Sequence, residues 1–188
     1  MLSNNVRSLF LCVFILCCWA SCCCAGNTPK GNSMFGIKIG IFGDGDIKID
    51  DKRISVEGGN IYGAFLDIPV YKRLCTGFAV DIGDYDFRVE NSQFLDVSLV
   101  LKLKLGNPNQ KVFLRPAVAF GYGKLNKVLN LSESSYFTIQ VFSELLLMLN
   151  NRLGILCDLG WLSAPSGGDD TYSVTASSRV MLRAGIVF

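Results

Sequence analysis

Eight stretches of the chain alternate strictly between apolar and polar or small residues. In the first, Phe35, Ile37, Ile39 and Ile41 oppose Gly36, Lys38, Gly40 and Phe42. The second sets Tyr62, Ala64, Leu66, Ile68 and Val70 against Gly63, Phe65 and Asp67. The third sets Leu74, Thr76, Phe78, Val80 and Ile82 against Cys75, Gly77, Ala79, Asp81 and Gly83. The fourth is the most regular, with Leu95, Val97, Leu99, Leu101, Leu103 and Leu105 against Asp96, Ser98, Val100, Lys102 and Lys104. In the fifth, Val112, Leu114, Val118, Phe120 and Tyr122 oppose Arg115, Ala117, Ala119 and Gly121. The sixth sets Phe137, Ile139, Val141, Leu145, Leu147 and Leu149 against Tyr136, Thr138, Gln140, Glu144 and Met148. The seventh sets Leu153, Ile155, Cys157, Leu159 and Trp161 against Gly154, Leu156, Asp158 and Gly160. The last ends the chain, with Val180, Leu182, Ala184, Ile186 and Phe188 against Ser177, Arg179, Met181, Arg183, Gly185 and Val187. A period of two marks a strand, because successive side chains leave a pleated backbone on opposite sides.

The connections alternate as well. Tyr71-Lys72-Arg73, Gly106-Asn107-Pro108-Asn109 and Asn150-Asn151 are short, and the last reads as a two-residue hairpin turn. Asp44 to Gly59, Lys124 to Ser135 and Ala164 to Thr171 are long and rich in Gly, Ser, Asp and Asn, with Asp86 to Ser92 intermediate. Pro116 lacks a backbone donor and predicts a local bulge in the fifth strand. Leu145 to Leu149 is helix-compatible by composition, but the flanking alternation favours strand. An even number of strands with short turns at one end and long loops at the other predicts an all-β fold. The expected architecture is an eight-stranded antiparallel up-and-down transmembrane β-barrel.

Alternation alone does not say which face meets solvent, since soluble barrels also have two unlike faces. The composition of the polar face decides. It is loaded with Gly36, Gly40, Gly63, Gly77, Gly83, Ala117, Ala119, Gly121, Gly154, Gly160 and Gly185, which suit the crowded axis of a narrow barrel. The apolar face carries aromatics at two heights: Phe35 and Phe188 near the short turns, and Tyr62, Tyr122, Phe137 and Trp161 about ten residues along. Ten residues tilted by ~40° rise roughly 25 Å, the height of a lipid-facing band between aromatic girdles. The apolar face is therefore expected outward, in lipid.

Half of the 188 residues are hydrophobic and 18% are charged, yet no internal run approaches the ~18 apolar residues of a membrane helix. The net charge of +2 gives no clustered basic surface, so nucleic acid is not an expected partner. The absence of histidine removes Ser-His-Asp triads, Cys-His pairs and His-ligated zinc, and no enzymatic activity, metal or cofactor is expected. Residues 1–25 read as an export signal, with Arg7, an apolar run from Leu9 to Trp19 and small residues from Ala20, leaving residues 26–188 as the barrel domain. Cleavage after Ala25, lipidation at Cys22 and a retained anchor all remain open, and each implies export. Six of the eight cysteines lie in this segment. Cys75 and Cys157 fall on opposite faces and so are not expected to bridge.

The polar face carries one constellation with a mechanism. Lys38, Asp67, Asp81, Lys102, Arg115, Glu144, Asp158 and Arg183 fall at similar depth on the eight strands, with every hairpin pair oppositely charged. Unpaired charges in so narrow a space are costly, so a salt-bridged plug across the lumen is expected. The bland alternative is interior charge solvated by trapped water. Asp44, Asp46, Asp50 and Asp51 match no EF-hand spacing and read as a solvated acidic loop, as does Asp169-Asp170.

With these features the chain resembles the small eight-stranded outer-membrane proteins of the OmpX and OmpW kind, in architecture and without a family-specific motif. The resemblance implies the bacterial cell outer membrane, a monomer, contact with outer-membrane lipid and a terminal strand ending in Phe188 read by the barrel-assembly machinery. OmpW-like members imply binding or passage of a small hydrophobic ligand, for which Phe42, Phe65 and Tyr136 are the candidate apolar pocket near the outer rim. OmpX-like members imply protruding strands and loops that recognise a host surface molecule. A soluble periplasmic lipocalin-like barrel is the third reading.

Overall fold

The computed structural model describes residues 33–188 except 51, 72, 87–90, 107–109, 127–133 and 169–171. The expected export signal, the Asn107-Pro108-Asn109 turn and Asp169-Asp170 therefore lie outside the described residues. Ten strands follow in chain order: β1 (Met34–Phe42), β2 (Gly45–Ile49), β3 (Lys52–Val56), β4 (Gly59–Tyr71), β5 (Leu74–Asp86), β6 (Asn91–Leu103), β7 (Val112–Leu125), β8 (Ser134–Met148), β9 (Gly154–Gly168) and β10 (Val174–Val187). β1 and β4 through β10 pair antiparallel with their neighbours in sequence order, and β1 pairs with β10 to close an eight-stranded barrel. Phe35 and Phe188 exchange backbone hydrogen bonds at 3.2 and 2.7 Å, so the closing seam runs to the terminal aromatic residue.

The first long connection is not a loop. Residues 45–56 form the β2–β3 hairpin, and its pairs Gly45↔Val56 and Ile49↔Lys52 continue the register of Ile41↔Asn60 below. β2 also pairs with the start of β10 in the register that β1 uses further down. β1–β2 and β3–β4 are thus two long strands of one hairpin, interrupted only at residues 43–44 and 57–58. Asp44 bridges that break by accepting the Gly58 N–H at 2.7 Å. Asp50 takes a left-handed conformation (φ 51°) at the turn, and its carboxylate accepts the Ser173 N–H at 2.9 Å. Asp44 and Asp50, expected in a solvated acidic loop, are a break and a turn residue, a use that Asp suits because it can hydrogen-bond nearby backbone. Asp46 lies in β2 facing Arg53, and Asp51 lies outside the described residues.

Two smaller expectations also change. Pro116 makes no bulge: the β7–β8 register runs through Pro116↔Ser143 unshifted. Against β6 the ladder pauses after Lys102↔Ala117 and resumes in the same register at Leu105↔Leu114, so the proline removes ladder bonds without inserting a residue. The turn at Asn150 spans three residues, since the Leu149 N–H bonds the Leu153 carbonyl. The Asn150 side chain accepts the Arg152 and Leu153 N–H groups at 2.8 Å, an Asx turn in place of a two-residue hairpin.

The orientation is apolar side outward. Leu99, Leu101 and Leu103 are 45%, 39% and 44% exposed, whereas Lys102 and Asp158 between the same walls are 2% and 0%. Tyr62, Tyr122, Phe137, Trp161 and Phe188 are also exposed, and Phe120 stacks beside Phe137 with ring centroids 6.4 Å apart. Leu66 and Val80 face outward by register yet are buried. The interior can be read up β8, whose inward residues are Leu146, Glu144, Phe142, Gln140, Thr138 and Tyr136. Near the short turns, Phe113, Leu146, Leu156 and Val187 form an apolar floor. Near the long connections, Phe42, Ile61, Phe94, Leu125 and Met181 form an apolar cap together with Ile47 and Val56 of the hairpin.

A charge placed in the middle of the outer belt should test this orientation. Leu101→Arg is expected to cost roughly 2–4 kcal/mol, the penalty for a basic side chain at the lipid midplane of a barrel. Replacing exposed Lys52 of the hairpin by Ala should change little. Urea unfolding of the protein in lipid vesicles, followed by heat-modifiable gel migration, checks both.

Candidate functional site

All eight charged residues singled out from the pattern are buried within the barrel, where they form two groups. In the lower group, Lys102 Nζ lies 2.9 Å from Asp67 Oδ2 and 3.1 Å from Glu144 Oε2. Arg115 closes the ring from the other side, with Nη1 donating to the same Asp67 oxygen at 2.9 Å. Its Nε donates to Glu144 Oε1 at 2.6 Å, and its Nη2 reaches that oxygen too. Two cations and two carboxylates thus form a closed cycle.

In the upper group, Lys38 Nζ donates to Asp158 Oδ2 at 3.0 Å and Arg183 Nε to Asp158 Oδ1 at 2.8 Å. Arg183 Nη1 reaches both Asp81 oxygens, at 3.3 and 3.2 Å. Gln140 then bridges Asp81 and Asp96, donating to each at 3.2 Å, and Thr138 donates to Asp96 at 2.7 Å. Phe65 and Phe142 stand between the two groups. Lys38 lies 4.8 Å and Lys102 4.2 Å from the Phe65 ring centre, and Arg183 lies 5.1 Å from that of Phe142. Cations over ring faces gain about 0.5–1 kcal/mol at exposed sites and about 2 kcal/mol when desolvated.

The geometry corrects the expected pairing. Arg115–Glu144 and Asp158–Arg183 are hairpin pairs, as parity implied. Lys38 instead reaches Asp158, and Lys102 reaches Asp67 and Glu144, so these links cross between non-adjacent strands. Barrel shear slants levels that a flat strand map places side by side, and long lysine side chains span the difference. The glycines opposite are the space the network fills: a Cβ at Gly63 would strike the Asp81 carboxylate, and one at Gly121 would strike Asp96 and Thr138.

Phe42, Phe65 and Tyr136 do not form one pocket. Phe65 lies in the lower apolar cluster beside the charges, while Phe42 and Tyr136 belong to the upper cap. There Phe42 packs edge-on to Tyr85 (5.0 Å) and Phe94 (5.8 Å). The void beside this cap, lined by Tyr85, Phe94, Tyr136, Leu162 and Arg179 among others, is about 10 Å³. That is about the room a single water needs. Cys75 is buried and Cys157 exposed on the outer face, and both are free thiols. Among the described residues no cluster of His, Cys, Asp or Glu is arranged to hold a metal.

Asp96, Thr138, Gln140 and Phe142 are legible as inward by parity, but their role as bridges is not. Arg179 is likewise inward by parity and without a role on that ground alone. Counting one charge per strand passes over residues that sit above the main layer.

No protein-family model matches the chain, and no curated protein matches it by sequence. Similar solved structures do exist. Neisserial surface protein A matches with a TM-score of 0.60 at 9% identity, covering 84% of this chain and 98% of that one. The outer membrane protein OprG of Pseudomonas aeruginosa matches with a TM-score of 0.57 at 12% identity, covering 82% and 94%. A major outer membrane protein of Thermus thermophilus matches at 0.51 and 12%, covering 84% and 99%. The class is that of the small eight-stranded outer-membrane β-barrels, and the architecture is OmpW/OmpX-like. This fold, with its continuous lipid-facing belt, places the chain in the bacterial outer membrane.

The buried network should respond unlike a surface pair. Glu144→Ala strips Lys102 and Arg115 of one shared partner and is expected to destabilise the barrel by about 3–5 kcal/mol. Arg53→Ala removes the exposed Asp46–Arg53 pair at 3.6 Å, whose worth should stay within roughly 0–1 kcal/mol. Equilibrium urea unfolding in the same lipid compares the two directly.

Proposed function

We propose that this is a non-porin surface-recognition barrel: a lumen closed by ion pairs carries strands and loops beyond the membrane, where they contact an external partner such as a host surface molecule. The observation that carries this reading is the first hairpin. It runs on in register past the barrel, with β2 paired to β10 and, among the described residues, β3 paired with β2. Lys52 and Arg53 stand exposed on β3, where their side chains are available to an external partner. Neisserial surface protein A is, by its name, a surface protein of the same fold, which agrees with this reading without carrying it.

Passage or binding of a small hydrophobic molecule is the second reading, supported by the aromatic cap of Phe42, Tyr85 and Phe94. It requires those rings to part, because the void among them holds little more than a water. No enzymatic role, cofactor or nucleic-acid partner enters either reading, and assembly of Phe188 by the barrel-assembly machinery is part of both.

Single-channel recording in planar bilayers tests the closed lumen, with no stable conductance expected. A large, steady open level from the purified protein would overturn it. Replacing residues 45–56 with a short turn should leave heat-modifiable folding intact while abolishing the binding of protein-bearing cells to host cell surfaces. Unchanged binding would remove the hairpin from the account.

A further inference from the structure

Among the described residues, Arg179 is the one charged residue buried in the upper cap for which the barrel network provides nothing. It follows the register shift between Ala176 and Arg179 on β10 and is 2% exposed. Its Nε, Nη1 and Nη2 all lack a hydrogen-bond acceptor, and the Tyr136 hydroxyl, in the lining of the same void, lacks a partner too. The guanidinium lies over the Tyr85 ring at 4.6 Å and near Phe42 at 5.9 Å. Ring faces take up its charge from one side and leave its N–H edge unmet.

The first hairpin is built around this group without serving it. Gly45 lies against Arg179, and a Cβ there would stand 2.7 Å from Nε. The two acids beside Gly45 are engaged elsewhere, Asp44 on the Gly58 N–H and Asp46 facing Arg53 at the surface. Thr138, also in the lining, donates to Asp96. The void is about 10 Å³ and otherwise lined largely by apolar walls such as Phe94 and Leu162.

We propose that this void is a seat for one small, weakly hydrated anion of the halide class, held on the Arg179 guanidinium with the Tyr136 hydroxyl donating. Size and chemistry select it together. Room for a single water-sized species excludes sulfate, phosphate and organic acids, while a buried guanidinium calls for a negative partner that a neutral water does not supply. Apolar walls favour an ion that sheds its hydration readily. The hairpin then acts as the lid of the seat, and the site owes nothing to what the hairpin binds outside.

The test uses the folded protein in detergent. Its thermal unfolding midpoint, read by heat-modifiable migration, is compared in sodium chloride or bromide and in sodium gluconate at equal ionic strength. Crystals grown in bromide are examined for anomalous scattering. Expected are a higher midpoint in the halides, saturating with concentration, and a bromide peak at the guanidinium. Arg179→Met should abolish the halide dependence, and Tyr136→Phe should weaken half-saturation roughly 10-fold, the worth of one hydrogen bond to a charged group. Equal midpoints in halide and gluconate, a halide effect that survives Arg179→Met, or an ordered water without bromide would each overturn the proposal. Should Arg179→Met fail to fold, Tyr136→Phe decides, and an unshifted half-saturation counts against it.

Discussion

Along the axis of a barrel too narrow to hydrate them, four cations are ion-paired with four carboxylates, and this pairing is the constraint on which the rest depends. Transfer of a single ion out of water costs several kcal/mol even after relaxation, and attraction in a dry interior repays it only with good geometry and full hydrogen bonding. Here the carboxylates of Asp67, Glu144 and Asp158 each meet two cations, and Gln140 and Thr138 satisfy the acids above. Such a layer also fixes register. A one-residue slip of any strand would turn its charge into lipid, so the alternation that builds the wall and the pairing that fills it specify the same structure.

The small residues follow from the same constraint. Eight strands leave an axis that side chains fill completely only if large groups from one wall face glycine or alanine on the other. Gly36 lies beneath Phe65, Gly160 beside Phe142 and Gly83 beneath Phe94. Among the described residues, aromatic rings occupy the layers between charges, apolar clusters stand at both ends, and the void beside Arg179 is about 10 Å³.

Most of this fold could be read from alternation because a strand's period is two and each face of a membrane barrel meets one environment. Leu99 to Leu103 and Lys102 show the principle at its clearest. What escaped was whatever depends on relations between strands. The partners of Lys38 and Lys102 are set by shear, which no single strand encodes. The hairpin at residues 45–56 was hidden by its aspartates and glycines, residues that ordinarily mark loops and here serve a turn and a backbone break. Pro116 misled in the other direction: its missing donor was plain, but whether a ladder bulges or simply pauses depends on the neighbouring strand. Arg179 carried no signal beyond its parity, since its distinction lies in the partners it lacks.

The ion pairs themselves can be observed. Magic-angle-spinning NMR on the protein in lipid bilayers, with dipolar recoupling between lysine Nζ and carboxyl carbons, reads the distance between the members of each pair. The account predicts strong couplings from Lys102 Nζ to the carboxyl carbons of Asp67 and Glu144, and from Lys38 Nζ to that of Asp158, with ammonium protons shielded from water. Rapid water exchange at both lysines with no carboxyl coupling would contradict it, and with it the closed lumen.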